Sequence, residues 1–405
     1  MADGTGGNTP DQPDFGDNPF ANLPMFAEMA KALSGQGPLN WDAARQFATM
    51  AAGGSPLGGS EPNVDPTVRI ALADLARILE LHVRDLTGTD IAFPEITPVT
   101  RTAWAQRTLD AYRPLFTELA TSLGRPAPAG SDEDAGDPMM AMMAGLSKMM
   151  APAMMGMAVG SMVGRMAQRT FGQYDLPIPR GDRSLLVVPA NIDGFATEWS
   201  LPVDEMRLWV LAQELIGHTL FTIPALRDQL AELVRRHVGG FSPDPSAVAE
   251  HLSALDGDAA GDPMQAIQQL LGDPALLLGA VQSPDQQALA PRLDAAVAAV
   301  VGTIDYLVDA VAVRVIGGDA LRIAEAVRRR RVETSPDDLF VQRLLGLQVT
   351  QEQVQRGKTF VGGVVDRVEG AQPEARLVDL LGHPEPLPTA AEIDAPGLWL
   401  ARLEL

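Results

Sequence analysis

Glu214 and His218 stand four residues apart, as do Gln213 and Gly217, and all four fall in the otherwise apolar run Asp204–Leu230 (DEMRLWVLAQELIGHTLFTIPALRDQL). Residues at that spacing share a helical face. A carboxyl and an imidazole presented together can move a proton or hold a metal ion. A second pair at the same spacing, Asp305 and Asp309 beside Tyr306, lies in the Ala/Val-rich segment Pro284–Ala312. Two acids on one face bind metal, share a proton or pair with arginines. Pairing is the expected arrangement here, with Arg207, Arg314 and Arg322 at hand. Arg328–Arg331 is expected to be a solvated helix end whose cations complement the dipole and internal acids. The five histidines (His82, His218, His237, His251 and His383) match no standard zinc spacing, and the absence of cysteine excludes thiolate chemistry. No phosphate-binding Gly-rich loop, dinucleotide fingerprint or G-x-S-x-G elbow is present.

Metal ligation has a known form on a helix. In H-E-x-x-H, two histidines four residues apart reach one zinc ion and the glutamate polarises its water. The five corresponding residues here are Gln213-Glu214-Leu215-Ile216-Gly217, so only the glutamate, at the general-base position, is present. His218 falls one residue late, roughly 100° round the helix.

The elements that must position these residues are mostly helical. Apolar residues from Met206 to Leu220 recur at three- and four-residue spacing, which predicts a largely buried helix ended by Pro224 and followed by a second run to Val238. Helices are also predicted over Asn40–Ala52 with Asn40 as cap, Asp65–Leu86 with Asp65 as cap, and Thr102–Leu123 with a kink at Pro114. Further helices are predicted over Ser246–Leu255, Asp262–Leu278, Pro284–Ala312, Asp319–Val332 and Thr350–Glu369. Ser184–Pro189 (SLLVVP) reads as the strand candidate and Ile91–Thr100 as extended. Residues 139–166 hold eleven of the 17 methionines, with Gly156, Gly160 and Gly164 spaced for close helix–helix approach. Core packing is the preferred reading of this block, and membrane contact through it the alternative.

The run RLWVLAQELIGHTLF…PALRDQL resembles the central helix of an actinobacterial family of zincin-like proteins labelled zinc-dependent metalloproteases. NWDAARQ at 40–46, LLVVPANIDGFA at 185–196, RRRR at 328–331 and HPEPLPTAAEID at 383–394 resemble further landmarks in the same order. The resemblance implies a mainly α, zincin-like helical domain with a small β edge or hairpin before the central helix. It places degenerate metal-ligand positions at Gln213, Gly217 and Asp305, with His218 as a substitute ligand. It also makes Leu186, Val187 and Val188 a candidate substrate-binding edge strand, by strand addition.

The organisation expected is a low-complexity N-terminus over 1–37, a helical region over 38–124 and an acidic linker over 125–138. A helical core with a Met/Gly-rich hairpin follows over 139–395, then a C-terminal tail over 396–405, with the Pro-rich stretch after His383 lying across the surface and anchored by Trp399. With 52 acidic and 31 basic residues the formal charge is −21, which argues against nucleic acid and anionic membrane as main partners. No secretory signal is evident, so a cytoplasmic setting is expected. Two readings follow. One is a zincin homologue with a degraded zinc site, no cofactor and no catalysis, which binds a peptide or protein partner. The other is a zinc-dependent peptidase rebuilt from Glu214, His218 and Asp305, joined by His251.

Overall fold

The structure is a computed structural model that describes residues 37–53, 61–124, 138–181, 184–243, 280–281, 283–332, 344–347 and 349–404. The expectations for residues 1–36, for the acidic linker before Pro138 and for the helices at 246–255 (with His251) and 262–278 lie outside the described residues.

Local chemistry sets the helix ends. Asn40 caps α1 (Trp41–Ala52), its side-chain oxygen accepting from the amides of Asp42 and Ala43. Asp65 caps α2 (Pro66–Thr87), which closes on Gly88 at φ 65°. The proline-interrupted stretch that follows contains β1 (Glu95–Pro98). The helix expected over 102–123 is two helices, α3 (Arg101–Ala111) and α4 (Arg113–Leu123), parted at Tyr112. Pro114 lacks an N–H and crowds the preceding turn, so the chain breaks just before it.

The Met/Gly block is one continuous helix, α5 (Pro138–Ala167), with Pro152 inside it, in place of the expected hairpin. Its glycine stripe lies on α1. A β-carbon at Gly156, Gly160 or Gly164 would sit 2.2, 2.2 or 2.6 Å from the carbonyl oxygen of Asn40, Ala44 or Ala48. Glycine there lets the two backbones touch, which is the core packing expected of the stripe.

β2 (Ser184–Val187) pairs with β1 in parallel, Glu95 opposite Ser184. It is therefore part of a parallel pair formed across a long crossover, and no hairpin. Then come α6 (Pro189–Glu198), α7 (Val203–Phe221) and α8 (Pro224–Gly239), the last two divided at Pro224 as the sequence predicts. A short antiparallel pair, β3 (Ser242–Pro243) and β4 (Ala280–Val281), precedes α9 (Pro284–Val315). α9 opens with a capping box between Ser283 and Gln286. It is long and apolar enough to cross a membrane, yet 78% of its most apolar window is buried inside the fold. α10 (Ala320–Val332), α11 (Gln351–Val365), α12 (Pro373–Leu380) and α13 (Pro396–Glu404) complete the chain.

The tail is anchored by Trp399 as expected, but its end is helical. Trp399 is fully buried, its ring edge-on to Phe360 at 5.2 Å and its indole N–H donating to the Pro386 carbonyl at 2.8 Å. At the centre stands α7, packed against α2, α6, α8, α9, α10 and β2. The fold is mainly α, with a small parallel strand pair ahead of its central helix.

Candidate functional site

Because α7 is enclosed on nearly all sides, its polar residues must find partners within the protein. Glu214 is fully buried. One carboxylate oxygen accepts from the Gln173 amide at 2.9 Å, and both accept from the Tyr174 amide at 3.1 and 3.2 Å. Gly172 lies directly over this carboxyl: a β-carbon there would sit 2.4 Å from the Glu214 carboxyl carbon. Burial, followed by the nearby Asp175 charge, pushes the Glu214 carboxyl well above the usual carboxylate range. The two amides and the more distant Arg180 only partly oppose this.

The segment 170–175, leading out of α5, is tied down at each residue that matters. The Gly172 carbonyl accepts from the Trp104 indole and from the Thr170 hydroxyl, each at 2.9 Å. Asp175 accepts from the Phe171 amide at 2.5 Å and from the Gln213 side-chain amide at 3.3 Å. The side-chain oxygen of Gln213 is buried without a hydrogen-bond partner.

Gly217 faces the ring of Tyr174. A β-carbon at 217 would fall 2.9–3.1 Å from Cδ2, Cγ and Cβ of that residue. The ring occupies the space where the resemblance calls for an imidazole. Tyr174 is buried and also packs against Phe221 at 5.3 Å. Burial and the neighbouring Glu214 push its phenol upward.

The candidate edge strand is not an open edge. Leu185 to Val188 are all fully buried. On one side β2 pairs with β1, and the Val99 amide donates to the Val187 carbonyl at 2.9 Å. On the other side Gly172 bridges to Val187 in antiparallel sense and the Val188 amide donates to the Phe171 carbonyl at 2.8 Å. The Leu186 amide donates to the Gln173 side chain at 3.3 Å. Leu186, Val187 and Val188 therefore bind the chain's own segment 171–173, which lies where strand addition would put a peptide.

The remaining site residues do not converge. His218, at the other end of the Glu214 face, sits 6.4 Å from the Phe93 ring, and burial alone lowers its imidazole below the usual range. Asp305 is nearly buried and accepts from Arg331 at 3.0 Å and from Arg328 at 3.5 Å, while Arg328 also reaches Asp309 at 2.6 Å. Arginine pairing is as expected, but the partners come from the Arg328–Arg331 run and none is Arg207, Arg314 or Arg322. Arg207 serves Asp193 and Asp204 instead. That run is thus no simple solvated helix end: Arg330 stacks over Phe171 at 3.7 Å and donates to the Arg169 carbonyl. Among the described residues, no three of His, Asp and Glu come together to hold a metal ion.

Zinc takes imidazole nitrogen, thiolate or carboxylate oxygen in a tetrahedral set. Gly217 offers no donor, Gln213 offers only a neutral amide oxygen in place of an imidazole, and Asp305 is held by two guanidinium groups. The residues present do not fit the ion.

Sequence reading found Glu214 but missed its covering residues, Gly172, Gln173 and Tyr174. The one available signal was complementary: a glycine on a buried helix face leaves a hole, and Tyr174 is one of only three tyrosines that could fill it.

Comparison with known proteins fits this architecture. A family model described as zincin-like metallopeptidase matches residues 39–400. A solved structure from Chloroflexus aurantiacus, described as a candidate hydrolase with a novel fold, superposes with a TM-score of 0.56. It is 23% identical and the match covers 90% of this chain and 99% of that one, a likeness of fold. No curated protein matches the chain.

Proposed function

The chain belongs to the zincin-like metallopeptidase family, and from that premise we propose that it is a catalytically silent member that works by binding a peptide or protein partner in the cytoplasm. The observation that carries this reading is the segment 171–175, which fills the ligand space at Gly217 and covers the Glu214 carboxyl. A general base must reach water or substrate. Glu214 instead accepts from two backbone amides in a fully buried setting. The arginine clamp on Asp305 adds to this, since a carboxylate already neutralised by guanidinium groups is a poor partner for a further cation.

The deciding experiment is elemental analysis of untagged full-length protein purified without chelator, run beside a peptidase assay on a quenched-fluorescent peptide library. The expected result is metal far below one equivalent in a folded, monodisperse protein, with no cleavage above buffer when zinc is added. Near-stoichiometric metal, with a peptidase rate that Glu214→Gln abolishes while the fold persists, would overturn the proposal.

A further inference from the structure

Helix α2 has two faces. Leu72, Ala76, Leu79, Val83 and Leu86 are buried, and the helix packs against α7, α9, β1 and α12. At roughly 100° per residue, the ridge opposite those five runs through Ile70, Asp74, Arg77 and Leu81, four residues within about 60° of arc. A solvated outer ridge is normally polar along its length. Here both ends are apolar and open: Ile70 is 64% exposed and Leu81 68%, with Ile78 at their flank at 49%. Single exposed apolar residues are ordinary. Three of the eight large ones exposed among the described residues, however, stand on this one helix.

The order along the ridge is apolar, acid, base, apolar, and that order is self-complementary when reversed. An antiparallel copy, related by a two-fold axis passing between Leu75 and Ala76, sets Ile70 against Leu81 of the second copy. The same axis sets Asp74 against Arg77 of the second copy, and each contact occurs twice, as an isologous interface requires. A parallel copy would instead put acid on acid and base on base. Within one chain Arg77 donates to Asp74 at 2.8 Å, yet both side chains stay largely exposed, at 76% and 62%. That bond occupies one N–H of a guanidinium that carries five and one of two carboxylate oxygens, so both groups keep capacity for a second copy.

We infer that the outer ridge of α2 is a self-association surface, on which two copies of this chain pair antiparallel. The Asp65 cap and the turn at Gly88 fix the helix at both ends, so the ridge is formed before any encounter. Repulsion between two chains of charge −21 is largely screened beyond about 8 Å at physiological salt, which leaves the contacting side chains to decide the outcome. Eleven residues of helix span only about 16 Å. The interface is therefore small, and the dimer is weak, with a Kd on the order of 10–100 µM. The ridge is on the side of α2 away from its packed face, and the inference does not depend on whether the α7 region binds metal.

The test is sedimentation velocity of the untagged full chain between about 1 and 300 µM, a range that brackets such a Kd. A reversible monomer–dimer equilibrium is expected. Leu81→Asp is expected to weaken association about tenfold or more, and Asp74→Arg or Arg77→Asp alone to do the same by setting like charges across the axis. Asp74→Arg and Arg77→Asp together in one chain restore opposite charges at both pairs and are expected to return the Kd to within about threefold of the parent. Damage to the fold cannot produce that recovery. A chain that stays monomeric throughout would leave the ridge to a different partner and overturn the assignment. A dimer that none of the single changes weakens, or a double exchange no tighter than either single one, would overturn it as well.

Discussion

Two carboxyls in the core, Glu214 and Asp305, are buried by opposite means. Glu214 meets two backbone amides and, among the described residues, no cation within hydrogen-bond range, so its environment favours the protonated form. Asp305 meets Arg331 and Arg328, and its charge is balanced by guanidinium groups from α10. A buried charge needs a proton, a cation or a metal. Burial favours the neutral acid at the first place, and guanidinium groups balance the charge at the second.

The largest effect is expected where a balancing cation is removed. Arg331→Ala should leave Asp305 with only its longer contact to Arg328 and lower stability by about 3 kcal/mol, read as a reduced urea midpoint at unchanged slope. A loss below roughly 0.5 kcal/mol would mean that Asp305 behaves as an exposed pair and the contrast fails. On the Glu214 side, Gly217→Ala drives a methyl group into the root of the Tyr174 ring and should cost about 1–3 kcal/mol by overpacking. Recovery in the double variant with Tyr174→Ala, relative to the sum of the single changes, would locate the clash in that ring.

The third expectation concerns pH. Below 4.5, the ordinary value, Glu214 is protonated in both folded and unfolded chains. As pH rises above that value the unfolded chain releases the proton while the native state retains it, so native stability declines until the raised folded pKa is passed. Glu214→Gln removes this decline. The stability difference between the Gln variant and the parent should therefore move in the variant's favour as pH rises above 4.5, by at most about 1.4 kcal/mol per pH unit. A parallel pair of stability curves would show that Glu214 ionises normally. The smallest effect belongs to His218, whose imidazole should titrate below 6.5 by NMR because burial disfavours its charge. Stability contributed by the neutral ring is present above 6.5 and lost as pH falls through the lowered value.

Much of the fold could be read from local chemistry. Asn40, Asp65 and Pro224 mark helix boundaries by themselves, and the period of the apolar residues identifies α7 as the central helix. What escaped was tertiary. Nothing within residues 170–175 signals that their amides will hold a side chain some 40 residues later, at Glu214. Nor does sequence spacing distinguish Arg331 from Arg314 as the partner of Asp305, because that choice depends on how α10 turns back on α9. The Pro-rich approach to residue 396 hid α13, whose single turn of anchoring chemistry lies in the indole of Trp399. The strand at 184–187 was visible from its apolar run, but its neighbours on both sides were supplied by distant segments.

The glycine stripe of α5 has a consequence for synthesis on the ribosome. Its partner α1 leaves the tunnel long before it: Gln168, just past the end of α5, donates to the carbonyl of Ala51, 117 residues upstream. At about 5–20 residues per second, α1 waits roughly 6–23 seconds before the surface it packs on exists. Through that interval its alanine face, Ala44, Ala48 and Ala52, has no glycine groove to enter. The small side chains that allow backbone contact in the finished protein also give that waiting face little apolar area to offer a premature partner.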